Sequence, residues 1–251
     1  MKAILYDVKR CKGCMKCVEA CCVSNELSEE GSRACFTREG LSDQRFTTLT
    51  LTEDERFVRQ QCMHCIEPSC EAACIVGAIR KTPEGPVVYD ADKCIGCRYC
   101  MLACPFEVPR YEWKSNHPFI AKCQMCVDRE GGPACVEACP HFAAEYGDRD
   151  ALLAKAKRRI GKHPDQYRPK VWGELDAGGT CVLYVSDVDL DEFWPGNIGE
   201  TSIPEMTWPV VEKTPFLFAG VAGTVSALSW VIHRRNRLAA EKAEGDENDA
   251  A

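Results

Sequence analysis

The sequence has 251 residues, with 31 basic against 38 acidic side chains and a formal net charge of −7. Nineteen residues are cysteine, and the chain opens MKAILYDVKRCKGC with no basic and apolar leader in front of the first one. Length, opening and acidity together point away from a small secreted disulfide framework and from a nucleic-acid binder, and towards metal.

From the N-terminus, four cysteine sets follow one another. Motif I is Cys11, Cys14, Cys17 and Cys21, flanked by Lys9, Arg10, Lys12 and Lys16, which offset charge on the thiols, face a partner or form a plain solvated surface. Motif II is Cys62, Cys65, Cys70 and Cys74, motif III is Cys94, Cys97, Cys100 and Cys104, and motif IV is Cys123, Cys126, Cys135 and Cys139. Motifs I and III have C-x2-C-x2-C-x3-C spacing, whereas II and IV stretch the second gap to four and eight residues; the last step is always x3. Three thiolates so spaced wrap a loop around one iron-sulfur cubane, while the fourth, placed after x3 at the start of a helix, is carried to a neighbouring cubane. Zinc is the rival, but four-cysteine zinc sites pair two C-x2-C knuckles across a longer separation and need no third thiol two residues on. The expectation is four 4Fe-4S clusters on sixteen thiolates, which would bring the net charge to roughly −15.

The stretch IVGAIRKTPEGPVVYDADKC between Cys74 and Cys94 reads as a short strand, a Pro-Glu-Gly turn and a second strand through Val87, Val88 and Tyr89. Such a hairpin joins motifs II and III into one two-cluster module, with Cys74 serving the motif III cluster and Cys104 the motif II cluster. Motifs I and IV then pair, Cys21 with the motif IV cluster and Cys139 with the motif I cluster. Spacing alone leaves the pairing open, because 19 residues separate II from III and 18 separate III from IV.

CMHCIEPSC, GCRYCMLACPFEVPRY, CVDREGGPACVEACP and the later GGTCVLYVSDV resemble the four-cluster iron-sulfur subunits of membrane-bound respiratory complexes, above all those of quinone-linked NiFe hydrogenases and formate dehydrogenases. The resemblance covers nearly the whole chain and implies the same pairing, II with III and I with IV. It implies an α+β fold of two ferredoxin-like modules, one nested within the other, over residues 1–147. Cys21 and Cys74 are followed by Cys22 and Ile75 where the family often has proline, and His141 and Phe142 replace small residues after motif IV. Cys22, Cys35 and Cys181 are left over and read as small buried apolar residues. Cys22 beside a ligand is alternatively a substitute for it, and His64 and His141 are alternatively hydrogen-bond donors to a cluster.

Beyond motif IV, GDRDALLAKAKRRIG reads as an amphipathic helix with Asp148 as its N-cap and Gly161 as its stop. GGTCVLYVSDV is a strand packed beside a cluster module, and residues 148–213 form an extension on the cluster domain ending in a loop-rich connector, 187–213. Residues 214–232 carry no charge and, at about 1.5 Å per residue, reach roughly 28 Å, which is one transmembrane span. Thr214 is its expected cap, Pro215 lies in the first turn, and Gly220 and Gly223 suit close packing on another helix. Residues 233–251 form a basic, then acidic, disordered tail. Arg234, Arg235, Arg237 and Lys242 follow the span, against Lys213 before it, so the C-terminus should be cytoplasmic and the cluster domain periplasmic. The resemblance implies export alongside a partner bearing a twin-arginine signal.

The sequence has no G-x-G-x-x-G, P-loop or H-E-x-x-H and no nucleophile with a paired base, so no catalytic residue is assigned. The expected function is electron transfer through four clusters, between a catalytic subunit oxidising hydrogen and an integral membrane subunit that reacts with quinone. A formate dehydrogenase or other molybdopterin partner, reverse flow from menaquinol, and a free-standing membrane-anchored ferredoxin remain open.

Overall fold

Nine strands and seven α-helices lie in the described residues, 1–27, 40–113, 119–194 and 198–249, of a computed structural model; Cys35 lies outside them. The strands are β1 (Lys2–Asp7), β2 (Thr47–Leu51), β3 (Phe57–Gln61), β4 (Ile79–Lys81), β5 (Val87–Tyr89), β6 (Arg110–Tyr111), β7 (Ile120–Ala121), β8 (Ala144–Asp148) and β9 (Val182–Val185). The helices are α1 (Lys16–Ser24), α2 (Ser69–Ala72), α3 (Tyr99–Ala103), α4 (Ala134–Glu137), α5 (Arg149–Lys162), α6 (Ile203–Val211) and α7 (Thr214–Asp249). The chain divides into two units, Met1–Pro204 and Glu205–Ala251.

In the first unit, β1 is buried from Ala3 to Asp7 and is the centre of a sheet ordered β8-β1-β9. Strand β8 runs antiparallel to it, with Lys2 opposite Asp148, and β9 runs parallel, with Ile4 opposite Val182. All four β9 side chains are buried, which explains its unbroken VLYV run. Each apolar side chain so buried contributes about 1.5–3 kcal/mol. The GGTCVLYVSDV segment therefore supplies a central part of the core, and the division between residues 147 and 148 drawn from sequence is not a boundary in the fold. Tyr184 of β9 meets Tyr6 and Trp194 edge to face, each with centroids 5.6 Å apart, and its hydroxyl donates to the Arg59 carbonyl at 2.8 Å.

Strands β2 and β3 form an antiparallel hairpin, as do β4 and β5, the hairpin the sequence predicts, in which Arg80 faces Val88. The turn of the second hairpin docks on the start of the chain, with the Lys2 amide donating to the Glu84 carbonyl at 2.5 Å. Gly85 is required there, because its φ is +125° and a Cβ would lie 2.4 Å from the Lys2 carbonyl oxygen. Helix α5 packs on β1 and β8 through buried Leu152 and Ala156. Asp148 caps it, accepting from the amides of Asp150 and Ala151. The helix runs through Gly161 to Lys162, one residue past the expected stop.

The second unit holds α7 and all but the start of α6. A helix over Ile203–Val211 replaces part of the expected loop-rich connector; Pro204 falls in its first turn, where a missing amide is tolerated, and Pro209 lies inside it. The Thr214 hydroxyl donates to the Val210 carbonyl at 2.9 Å, so Thr214 continues a helical path instead of capping a new one. An 18-residue window within Ile203–Ala239 reaches a mean hydropathy of 1.7 with none of it buried, which is long and apolar enough to cross a membrane. The Thr224 hydroxyl is satisfied inside the helix by the carbonyls of Gly220 and Val221. Helix α7 continues to Asp249, so the tail expected to be disordered is helical there; AAEKAE is rich in strong helix formers.

Candidate functional site

The four motifs share one local design. In each, the third cysteine is the second residue of a short helix: Cys17 in α1, Cys70 in α2, Cys100 in α3 and Cys135 in α4. The fourth cysteine does not start a helix, as expected from sequence, but lies at or beyond its end in three motifs, with Cys74, Cys104 and Cys139 following α2, α3 and α4. Cys21 differs, because it lies inside α1, which runs on through Cys22 to Ser24. Just before Cys11 and Cys94, an aspartate caps a single 3-10 turn: Asp7 accepts from the Arg10 amide and Asp90 from the Asp92 amide.

Left-handed residues curl each C-x2-C loop. Gly13 and Met15 in motif I match Gly96 and Arg98 in motif III, and His64 in motif II matches Met125 in motif IV. Such curls turn backbone amides inward to the sulfurs. Amides of Gly96 and Met125 donate to Cys94 and Cys123 Sγ at 3.4 and 3.3 Å, and those of Ala78 and Ala143 donate to Cys74 and Cys139 Sγ at 3.2 and 3.4 Å.

Motifs I and IV come together across the α1–α4 contact. One small cavity is lined by Cys11, Cys14 and Cys17 of motif I with Cys135 and Cys139 of motif IV. A second is lined by Cys123, Cys126 and Cys135 of motif IV with Cys21 of motif I. Thiols of the two motifs are thus mixed around both, and Cys135 borders each. Motifs II and III are also neighbours, since Cys104 acts on Cys65 beside Cys62 and Cys70, and Cys74 acts on Cys100 beside Cys94 and Cys97. The groups also influence one another in turn: Cys135 acts electrostatically on Cys17, Cys62 on Cys123, and Cys100 on Cys70, which links the motifs in the order I, IV, II, III.

The donor chemistry fits an iron-sulfur group. Burial above all pushes the Cys17, Cys100 and Cys104 thiols up to about 11 and those of Cys70 and Cys123 up to about 12. Cys21 and Cys65 are driven upward by burial and then by neighbouring thiols. Such thiols become thiolates only when positive charge enters the cavity, as the irons of a cluster supply. Among the described residues, no three His, Cys, Asp or Glu side chains converge on a single-ion site. His64 Nε2 is buried with no hydrogen-bond partner, and the Arg59 terminal nitrogens and the Tyr6 hydroxyl have only the thiols of Cys135 and Cys11 beside them.

His64 is fully buried, and its Nδ1 accepts from the Val87 amide at 2.9 Å, so in the neutral ring the proton sits on Nε2. Burial, and then the charges of Lys122 and Lys81, hold it well below the usual histidine range. Lys81 Nζ reaches the His64 carbonyl at 2.9 Å and Cys181 Sγ at 3.3 Å, which gives the fully buried Cys181 a partner the sequence did not reveal. Cys22 is buried in the core, and His141 is exposed at the motif I cavity. Arg59 and Lys122, both buried beside thiols, were missed by sequence reasoning because neither lies within a cysteine motif's spacing.

A family model for the 4Fe-4S dicluster domain matches residues 54–149. The nitrate-inducible formate dehydrogenase iron-sulfur subunit of Escherichia coli K12 is 31% identical over 98% of this chain and 89% of its own length. The chain belongs to this iron-sulfur subunit family. Other relatives are the hydrogenase-2 operon protein HybA of E. coli O157:H7, 36% identical over 75% of this chain and 70% of its own, and a protein of Nitratidesulfovibrio vulgaris Hildenborough, 37% identical over 95% of this chain and 69% of its own. Family membership accounts for the thiol-lined cavities.

Proposed function

We propose that the chain is the electron-transfer subunit of a membrane-bound hydrogenase or formate dehydrogenase complex, holding four 4Fe-4S clusters in two nested ferredoxin-like modules. The observation that carries this reading is the pair of cavities at which thiols of motifs I and IV mix, Cys139 joining Cys11, Cys14 and Cys17 at one and Cys21 joining Cys123, Cys126 and Cys135 at the other. Cys11, Cys14, Cys17 and Cys139 would hold one cluster, and Cys123, Cys126, Cys135 and Cys21 the next. Cys62, Cys65, Cys70 and Cys104 would hold the third, and Cys94, Cys97, Cys100 and Cys74 the last. When bound, the clusters supply one-electron transfer and no group chemistry. The protein's part is to keep water from the sulfurs, to direct backbone amides at them, and to line the four sites up in series.

The identity to HybA favours a hydrogenase partner, and the fuller coverage by the formate dehydrogenase subunit favours the molybdopterin alternative. In either complex the remaining partners are a catalytic subunit and an integral membrane subunit that exchanges electrons with quinone. Purification of the full chain in mild detergent is expected to bring both partners in stoichiometric amounts, with about sixteen irons and sixteen sulfides per chain. A chain that purifies alone would point to a free-standing ferredoxin, and colourless zinc-loaded protein would remove the reading.

The apolar window in α6–α7 supports a single-pass anchor. Arg234 stacks on Trp230 at 5.5 Å, a pairing suited to a membrane interface. With Arg234, Arg235 and Arg237 after the span, the C-terminus faces the cytoplasm and the cluster unit the periplasm, exported with a twin-arginine-signal partner. Protease added to intact spheroplasts should cut the cluster unit; survival of that unit while a periplasmic control is digested would reverse the orientation.

A further inference from the structure

Arg59 lies on β3 and is 1% exposed. One end of its side chain is fixed, because Nε donates to the Thr47 hydroxyl of β2 at 2.9 Å and its own carbonyl accepts from the Tyr184 hydroxyl at 2.8 Å. The other end makes no well-formed hydrogen bond: Nη1 and Nη2 have no oxygen or nitrogen acceptor, and the group closest to bonding them is the Cys135 thiol. A guanidinium stays protonated even when buried, so a full positive charge sits in the interior. The groups it acts on most strongly are Cys135 and Cys17, with Tyr6 beyond them, and no carboxylate is among them. Arg59 is in the lining of both motif I/IV cavities, and so stands in the wall that separates them.

A buried, unpaired cation destabilises a protein unless something anionic meets it. Here the fork of donors opens onto two thiol-lined spaces, and the groups placed to supply the counter-charge are the cysteines that line them. We propose that Arg59 is the shared counter-ion of the two iron-sulfur sites of motifs I and IV, donating one terminal amino group towards each and raising both reduction potentials. The inference rests on the four-cluster reading above and goes beyond it by assigning a residue that is no ligand. Reduction adds one electron to a site from an external reductant, with no bond made and no proton taken up by Arg59. A fixed cation favours the more negative form, so its removal lowers the potential. Motifs II and III do not share this residue, and their sites would be unaffected.

The test uses the full-length chain, anaerobically reconstituted, in three forms: wild type, Arg59→Met and Arg59→Lys. Potentiometric titration with dithionite, followed by electron paramagnetic resonance, reads each centre separately. In Arg59→Met, two centres should need a lower potential, with the reduced-to-oxidised ratio at fixed potential falling at least tenfold, about 59 mV for a one-electron couple. The other two should stay in place. Arg59→Lys keeps the charge but loses the fork, so it should shift the same two centres by less. Unmoved potentials in both variants, or four centres moving equally, would overturn the proposal. If Arg59→Met fails to take up its full iron, Arg59→Lys alone decides, and no shift there overturns it. A second readout is independent of clusters: the metal-free Arg59→Met chain should melt at a higher temperature than metal-free wild type, and a lower one counts against an unpaired charge. Failure of the four-cluster reading is visible separately, as wild-type iron far from about sixteen per chain.

Discussion

Alanine at Cys74 and alanine at Cys97 are expected to abolish the same 4Fe-4S signal, although the two cysteines belong to different sequence motifs. Alanine at Cys104 and at Cys65 should likewise abolish one common signal, and a different one. The reason is spatial: Cys100 has Cys94, Cys97 and Cys74 around it, while Cys65 has Cys62, Cys70 and Cys104. Each loss would remove up to about four of sixteen irons. Electron paramagnetic resonance of the four single variants, each compared with the reduced wild type, sorts them into pairs. Pairing by motif, Cys74 with Cys65 and Cys104 with Cys97, would refute ligand exchange. The effect is large because the charged groups acting on Cys65 and Cys100 include no carboxylate or imidazole that could replace a lost thiolate.

Asp7 is the second position where a single change should have a large effect, this time on stability. It is 1% exposed and closes β1, where it receives Arg159 Nη1 at 2.8 Å, the Tyr167 hydroxyl at 3.0 Å and the Arg10 amide at 3.3 Å. One carboxylate thus fastens the end of β1 to helix α5, to the segment after it and to the turn that leads into Cys11. Arg159 is 11% exposed in its side chain and keeps only Glu145 if Asp7 is removed. Breaking a buried pair by deleting one partner costs about 3–5 kcal/mol. In a chain of this size that lowers Tm by about 6–20 °C. Differential scanning calorimetry of Asp7→Ala against wild type, both fully loaded, checks it, and a fall under about 2 °C would refute a structural role for the Asp7 carboxylate.

Much of the site was legible in the sequence because cysteine spacing is a direct record of ligand geometry. The hairpin between Cys74 and Cys94 could be read from its Pro-Glu-Gly turn and its two apolar runs, and Asp148 from its place before a periodic helix. What escaped was whatever depends on distant chain meeting in space. Arg59 carries no motif, and it matters only because β2 and β3 bring it between two cavities lined from opposite ends of the domain. The helix at Ile203–Val211 was hidden by its two prolines, which read as loop punctuation. The fourth cysteines were placed at helix starts because spacing gives the interval between ligands and not the point where a short helix ends.

Strand β1 is made first and completed last. Its two neighbours in the sheet, β8 and β9, lie at residues 144–148 and 182–185. At about 5–20 residues per second, a ribosome needs on the order of 9–35 s between delivering the opening strand and delivering its parallel neighbour. Throughout that interval the apolar AILY segment has no permanent cover, and the thiols of motif I wait for their counterparts near residue 139. Nascent chains stopped short of residue 182 would therefore lack a closed sheet, and metal loading belongs after the release of nearly the entire first unit.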